Sequence, residues 1–309
     1  MLTEKVIIGE GSQYPLSGLL TLPSNLSGPA PAVVFVHGSG ASNMDEKVGK
    51  LTPFKDLAEG LASHGIASVR YDKRTFTHGF KMVTDKKLEV TVKEETIDDA
   101  ILAAELLKQD HRIDPERIFI IGHSMGGMLA PRIDAEGGNF RGLIIMAGSP
   151  RKLEEIMFDQ NEMVLKTTKG FVHWIVSKQV AKLSRLFDGL YQLTDQQAKK
   201  KKVGGGTTLY YFKEMGSHPA EDYLKNLEKP MLILQGEKDF QASAEKDFAA
   251  YKALLADKTN VTFQLYPGLN HAFVPAVYED IMKAKQEYGI EQHIGEAVIS
   301  DIAGWIKAN

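Results

Sequence analysis

Short apolar runs recur along the chain at residues 32–36, 66–71, 118–121, 143–147, 231–235 and 261–266. Most are rich in Val and Ile and lack polar alternation. That pattern predicts strands buried on both faces, as in a parallel sheet covered by helices. Between the runs the apolar period becomes helical. Thr52-Pro53 predicts an N-cap followed by proline at the first helical position, and Phe54, Leu57, Ala58 and Leu61 continue at helical spacing. Further helices are predicted over 94–108 and 243–256, and Ile294, Val298, Ile302 and Trp305 mark a terminal helix with one apolar face. Residues 5–8 and 16–22 are separated only by a Gly/Ser-containing turn, which predicts two antiparallel strands at a sheet edge. Strand and helix otherwise alternate, so the expected class is α/β with a mainly parallel sheet.

One stretch breaks the alternation. Residues 151–227 offer no sheet strand, and their apolar positions fall at broadly helical intervals. We expect a helical insertion between two core strands, dividing the chain into a core of 1–150 and 228–309 and an inserted unit of 151–227. Within it, the lysines of 199–202 followed by Gly204, Gly205 and Gly206 read as a solvated, flexible turn.

Size and charge narrow the class. A chain of 309 residues makes one large domain or two small ones. Its net charge of −3 points to no polyanionic partner such as nucleic acid. There is no cysteine, which excludes disulfides, thiol nucleophiles and cysteine metal sites and fits a reducing cytosol, the expected location. The first ten residues lack a basic segment followed by an apolar core, so no signal peptide is expected, although a chain whose signal had been removed would read the same. No apolar run approaches the roughly 20 residues that span a bilayer.

The most informative segment is Gly122-His123-Ser124-Met125-Gly126, placed between the run 118–121 and a helix-like stretch. G-x-S-x-G between strand and helix marks a turn so tight that side chains two positions either side of the serine would clash, and glycine relieves the crowding. The serine is then strained, with its hydroxyl lifted above the sheet edge and a helix N-terminus behind it. A serine hydroxyl needs a base, usually histidine held by a carboxylate. His271 follows the run 261–266 through a turn-forming loop and is the expected base. Two acids, Glu237 and Asp239, follow the run 231–235; Asp239 is favoured because two further residues carry it clear of the strand end. Two N–H donors are expected around a developing oxyanion, from the backbone of Met125 and of Ser39 in His37-Gly38-Ser39-Gly40. The charges of Arg70-Tyr71-Asp72-Lys73-Arg74 are expected to pair structurally. Phe171, Trp174, Tyr210, Tyr211 and Phe212 are too many aromatics for a solvated loop; we expect some to line an apolar pocket above Ser124 and contact substrate.

Taken in order, His37-Gly38-Ser39-Gly40, Arg70-Tyr71-Asp72-Lys73-Arg74, Gly122-His123-Ser124-Met125-Gly126-Gly127, Gly236-Glu237-Lys238-Asp239 and Asn270-His271 resemble the α/β-hydrolase superfamily. The resemblance is to bacterial carboxylesterases of the feruloyl/cinnamoyl-esterase and acyl-peptidase-like branch, over about residues 30 to 275. It implies an eight-stranded, mainly parallel sheet flanked by helices, a cap formed by 151–227, a triad of Ser124, Asp239 and His271, and the oxyanion donors Ser39 and Met125. It also implies hydrolysis of a small-molecule carboxylic ester without metal or organic cofactor. Thioesterase, serine peptidase and acyltransferase activities use the same apparatus, and a non-catalytic binding protein is the reading from another class. The insertion is longer than the cap of many cinnamoyl esterases, which weighs against a hydroxycinnamate substrate.

Overall fold

The structure is a computed structural model that describes residues 1–85, 88–204 and 206–309. In chain order the strands are β1 (Leu2–Ile8), β2 (Leu16–Leu22), β3 (Ala30–Val36), β4 (Ala67–Tyr71), β5 (Ile113–His123), β6 (Leu143–Met146), β7 (Lys202–Gly204), β8 (Thr207–Thr208), β9 (Met231–Gly236) and β10 (Val261–Tyr266). Eight of them form one sheet in the order β1-β2-β4-β3-β5-β6-β9-β10. β2 pairs antiparallel with both β1 and β4, and every other pairing is parallel. The six apolar runs and the N-terminal pair are all sheet strands, as their patterns require.

The helices are α1 (Pro53–Ser63), α2 (Arg74–Thr84), α3 (Asp98–Gln109), α4 (Met125–Ile133), α5 (Leu153–Thr167), α6 (Gly170–Phe187), α7 (Asp195–Lys200), α8 (Leu209–Gly216), α9 (Ala220–Asn226), α10 (Ala249–Leu254), α11 (Ala284–Glu287) and α12 (Glu296–Ala308). Val33, Phe35, Phe119 and Ile121 turn to one face of the sheet, where they pack with Phe54 and Leu57 of α1 and Val298 and Ile302 of α12. Val34, Val36, Ile118 and Ile120 turn to the other, against Ala100 and Ala104 of α3 and Leu129 and Ile133 of α4. Continuous apolar runs thus serve two cores at once, the alternation of the pleat assigning each residue its side. Thr52 occupies the N-cap of α1 with Pro53 behind it, but its side chain makes no capping hydrogen bond.

Between β6 and β9 lie α5, α6, α7, the β7–β8 ribbon, α8 and α9, and none of them joins the main sheet. Most of the stretch read as a flexible turn falls in regular elements instead. Lys199 and Lys200 close α7, and Lys202–Gly204 pairs antiparallel with Thr207–Thr208; Gly205 lies outside the described residues.

Candidate functional site

Parallel pairing carries the C-terminal ends of β3, β5, β6, β9 and β10 to one edge of the sheet. The segments that follow them, beginning at His37, Ser124, Ala147, Glu237 and Pro267, therefore gather there. Ser124 sits between β5 and α4 at φ 54°, ψ −120°, a conformation that L side chains rarely adopt. The two flanking glycines make that turn possible. A Cβ on Gly122 would stand 2.3 Å from the Gly126 carbonyl oxygen, and one on Gly126 would stand 2.1 Å from that of Val36. No larger residue fits either position without moving backbone.

His271 and Asp239 meet at the same edge. His271 Nδ1 lies 2.7 Å from Asp239 Oδ2. A carboxylate there can only accept, so the proton sits on Nδ1 and Nε2 keeps its lone pair. Asp239 is oriented by three further donors: Gln235 Nε2 at 2.8 Å to Oδ2, and the N–H groups of Gln241 and Ala242 at 2.7 and 2.9 Å to Oδ1. Glu237, the competing acid, is exposed and accepts from the Gly268 N–H. The His271 loop is pinned by Asn270, whose side chain donates to the fully buried Glu287 at 2.8 Å and accepts from the Ala272 N–H at 3.0 Å.

Beneath this pair lies a second histidine–carboxylate contact that the sequence reading did not single out. His123 Nε2 donates to the His271 carbonyl at 2.9 Å, and His123 Nδ1 lies 2.9 Å from Glu46 Oε2, at an angle too poor for a hydrogen bond. Both ring nitrogens face acceptors, which favours the imidazolium. Burial opposes that charge, but Glu46, the His271 carbonyl and Asp239 together outweigh it and raise the His123 pKa; His123, with His37 and the Gly38 N–H, lowers that of Glu46 despite its own burial. Glu46 also accepts from the Gly38 N–H at 2.8 Å. His37 behaves oppositely. Burial, with Lys73 nearby, lowers its pKa to about 4, so it is neutral, and its Nε2 donates to the Asn43 carbonyl at 3.0 Å.

The cations of residues 70–74 pair structurally, as expected, while Asp72 accepts from the Met44 N–H. Arg70 bonds Asp45 and Thr21, and Arg74 bonds Asp99. Lys73, only 2% exposed, does more: its ammonium donates to the Gly38 carbonyl at 2.9 Å and pairs with Glu95 at 3.0 Å. In a trans peptide the carbonyl and the following N–H point in opposite directions. Holding the Gly38 carbonyl toward Lys73 therefore turns the Ser39 N–H the other way and polarises it as a donor. Glu95 in turn accepts from the Tyr211 hydroxyl at 2.5 Å, which also lies 3.5 Å from Met125 Sδ. Nothing at the level of sequence pattern joins residues 38, 73, 95 and 211; only their burial in one place does.

Three cavities open around these groups. One of about 250 Å³ is lined by Ser39, Ser124 and His271 and, on its apolar side, by Met128, Ile156 and Met157. A second of about 220 Å³ shares Ser124 and His271 but is more polar, with Ser42, Lys47 and Gln241. A third of about 380 Å³ lies beyond Ser39 and Met125, toward Met82 and Val83. Of the aromatics expected to line such space, Phe212 borders the first and third cavities and Tyr211 the third. Phe171, Trp174 and Tyr210 border none of the three. Phe171 and Trp174 are exposed on α6, and Tyr210 is half-buried under the Lys199 ammonium. Aromatic content alone could not separate the buried from the exposed face of the insertion.

The chain matches the serine aminopeptidase family S33 over residues 27–275. It is 34% identical over 292 residues to the esterase EstD of Thermotoga maritima, a match that covers 94% of this chain and 65% of that one, so the chain spans about two thirds of the relative's length. Solved structures share its fold. Est1E from Butyrivibrio proteoclasticus superimposes with a TM-score of 0.54 at 16% identity, covering 98% of this chain and 99% of its own. The Pyrococcus furiosus esterase PF2001 gives 0.55 at 15%, covering 99% and 91%. The acylaminoacyl peptidase of Pyrococcus horikoshii gives 0.56 at 14%, covering 99% and 41%. With its sheet order, its strained serine between β5 and α4, and a family match over most of its length, the chain belongs to the S33 serine aminopeptidase family within the α/β-hydrolase superfamily.

Proposed function

We propose that this protein hydrolyses carboxylic esters through an acyl-enzyme. The carrying observation is the 2.7 Å contact of His271 Nδ1 with Asp239, beside a cavity that Ser124 and His271 both line. In this reading His271 Nε2 takes the Ser124 proton and the serine oxygen attacks the acyl carbon. The Met125 and Ser39 N–H groups receive the oxyanion. His271 then returns the proton to the departing alcohol, and water releases the acid by the reverse path. Asp239 holds the ring and balances its charge. Kinship with an esterase 34% identical supports ester rather than amide cleavage, while the family's own description keeps aminopeptidase activity as the second reading.

Residues 151–227 act as a cap on a core of 1–150 and 228–309 in this account, and Phe212 and Tyr211 are its contacts with the substrate. The substrate is small, since the cavity beside Ser124 is about 250 Å³. No helix among the described residues is long and apolar enough to cross a membrane; the absence of cysteine supports a place in the reducing cytosol. The test is a panel of p-nitrophenyl esters, thioesters and aminoacyl p-nitroanilides. Turnover of esters at least tenfold above that of anilides is expected. Anilide turnover in excess would favour the peptidase, and no turnover together with no fluorophosphonate labelling of Ser124 would overturn both.

A further inference from the structure

The outward stripe of α6 joins exposed apolar residues to a run of cations. Phe171, Trp174, Ile175, Lys178, Lys182 and Arg185 follow one another at i, i+3, i+4, i+7, i+11 and i+14, which places them on one side of the helix. All six are exposed, Phe171 by 73% and Trp174 by 53%. Their order is not mixed: the aromatic and aliphatic residues occupy the first turns and the cations the last. The Phe171 and Trp174 rings stack 5.7 Å apart, and the Lys178 ammonium lies 4.4 Å over the Trp174 ring.

The charge of this element is one-sided. Between Glu162 and Asp188 there are five basic residues and no acidic one, in a chain whose net charge is −3. Lys166 pairs with Glu162, but among the described residues Lys169, Lys178, Lys182 and Arg185 enter no salt bridge. Exposing two large aromatics beside four unpaired cations costs solvation energy and stores repulsion. A surface that is apolar just beneath an anionic layer relieves both.

We propose that this stripe of α6 docks on an anionic phospholipid bilayer. Phe171 and Trp174 enter the headgroup–acyl boundary, where amphipathic rings are most stable, and Lys178, Lys182 and Arg185 meet the lipid phosphates. A second copy of the chain is the competing occupant, and the measurements below separate it from the bilayer. Beneath α6 packs α5, whose Leu153, Ile156 and Met157 line the cavity beside Ser124. Docking therefore leaves one helix between the bilayer and that cavity. The proposal stands whether or not the cavity hydrolyses esters.

The experiment is sedimentation of the whole protein with vesicles of phosphatidylcholine alone and of phosphatidylcholine mixed with phosphatidylglycerol. Binding to the mixed vesicles, absent on phosphatidylcholine alone and suppressed by high salt, is expected. The double variant Lys178→Gln/Lys182→Gln, which touches no residue at the cavity, should bind about twenty-fivefold more weakly, at about fivefold per cation, with an unchanged circular dichroism spectrum. Trp305→Phe leaves Trp174 as the only tryptophan, and its emission should shift to the blue on mixed vesicles alone. Equal binding to both vesicle types, no binding to either, binding that survives loss of the two lysines, or an unmoved Trp174 emission would each overturn the proposal. So would a dimer in free solution whose Trp174 is already shielded, which would assign the stripe to a second copy.

Discussion

The sheet edge around Ser124 and the insertion that follows β6 are held in place by different forces. At the edge, backbone meets backbone: a Cβ on Gly126 would stand 2.1 Å from the Val36 carbonyl oxygen, and charged groups such as Lys73, Glu95 and Glu287 are buried with partners. In the insertion, α6 is 18 residues long yet buries only Phe187. The rest of the insertion is fastened to the core by Tyr211 to Glu95, Arg132 to Glu214, Arg151 to Asp247 and Lys246 to Asp159, and by Leu209, Phe212 and Leu224, which share the core cluster; α6 enters none of these polar links. Steric exclusion and buried pairing tolerate little change, whereas an amphipathic helix resting on its neighbours tolerates much. The groups at the edge are therefore fixed, while α6 is free to change.

Removing the Ser124 hydroxyl should separate the two regions most sharply. Ser124→Ala is expected to lower kcat for a p-nitrophenyl ester by a factor of roughly 10⁴ to 10⁶ with the melting temperature within a few degrees of wild type. A variant that keeps more than a tenth of the turnover would remove Ser124 from the reaction.

Stability against pH should also report the edge and not the insertion. His37, buried and neutral, has its pKa lowered from 6.5 to about 4. As pH falls through that window the unfolded chain takes up the proton and the folded one does not, so stability is lost. The shift corresponds to roughly 3 kcal/mol. Asp99 works against this: burial raises its carboxyl to about 6, so the folded state binds that proton first and gains stability as pH falls. His37→Gln should leave only the Asp99 contribution of the two, and the urea midpoint should then fall less between pH 6.5 and 4.5 than in wild type. Parallel profiles for the two proteins would mean that His37 is protonated in the folded state.

The link from Lys73 to the Ser39 N–H is a finer test of the edge. Lys73→Met frees the Gly38 carbonyl and should cost about ten- to a hundredfold in kcat, with KM little changed. Because the change strands Glu95, the double variant Lys73→Met/Glu95→Gln is needed beside it. Stability should recover in the double variant and kcat should not. Recovery of both would reduce Lys73 to a structural ion-pair partner.

What could be read from sequence follows the same division. The strands were legible because burial on both faces leaves uninterrupted Val and Ile, and Ser124 was legible because its sterics demand glycine two positions either side. Local sequence records such constraints. The pairings of Lys73 with Glu95, Glu46 with His123 and Tyr211 with Glu95 were not, because each joins residues far apart in the chain whose charges look like ordinary surface until the fold buries them. α2 and the β7–β8 ribbon were missed as well, although Phe76, Phe80 and Val83 of α2 stand at helical spacing; the structure leaves that apolar face exposed and buries only Arg74 and Met82. The aromatics of the insertion failed in the opposite sense. Phe171 and Trp174 carry the hydrophobic signal of a core, and the structure leaves them in solvent.

That last difference gives the smallest and most discriminating expectation. If the cap selects substrate, it does so through the residues that reach the cavities, not through its most apolar ones. Phe212 borders the cavity beside Ser124 and packs against Phe187 at 4.9 Å, so truncating it both enlarges the space and removes an apolar wall. Phe212→Ala should change the ratio of kcat/KM for a long-chain over a short-chain ester by about tenfold, within the roughly 1–3 kcal/mol that a pocket contact of this size commands. Trp174→Ala, assayed on the same soluble esters, should leave the ratio within a factor of two, because its ring touches none of the three cavities. Equal shifts from both variants would place α6 over the cavity during turnover. No shift from Phe212→Ala would mean that selectivity is set by the walls supplied by the core, Met125 and Met128 among them.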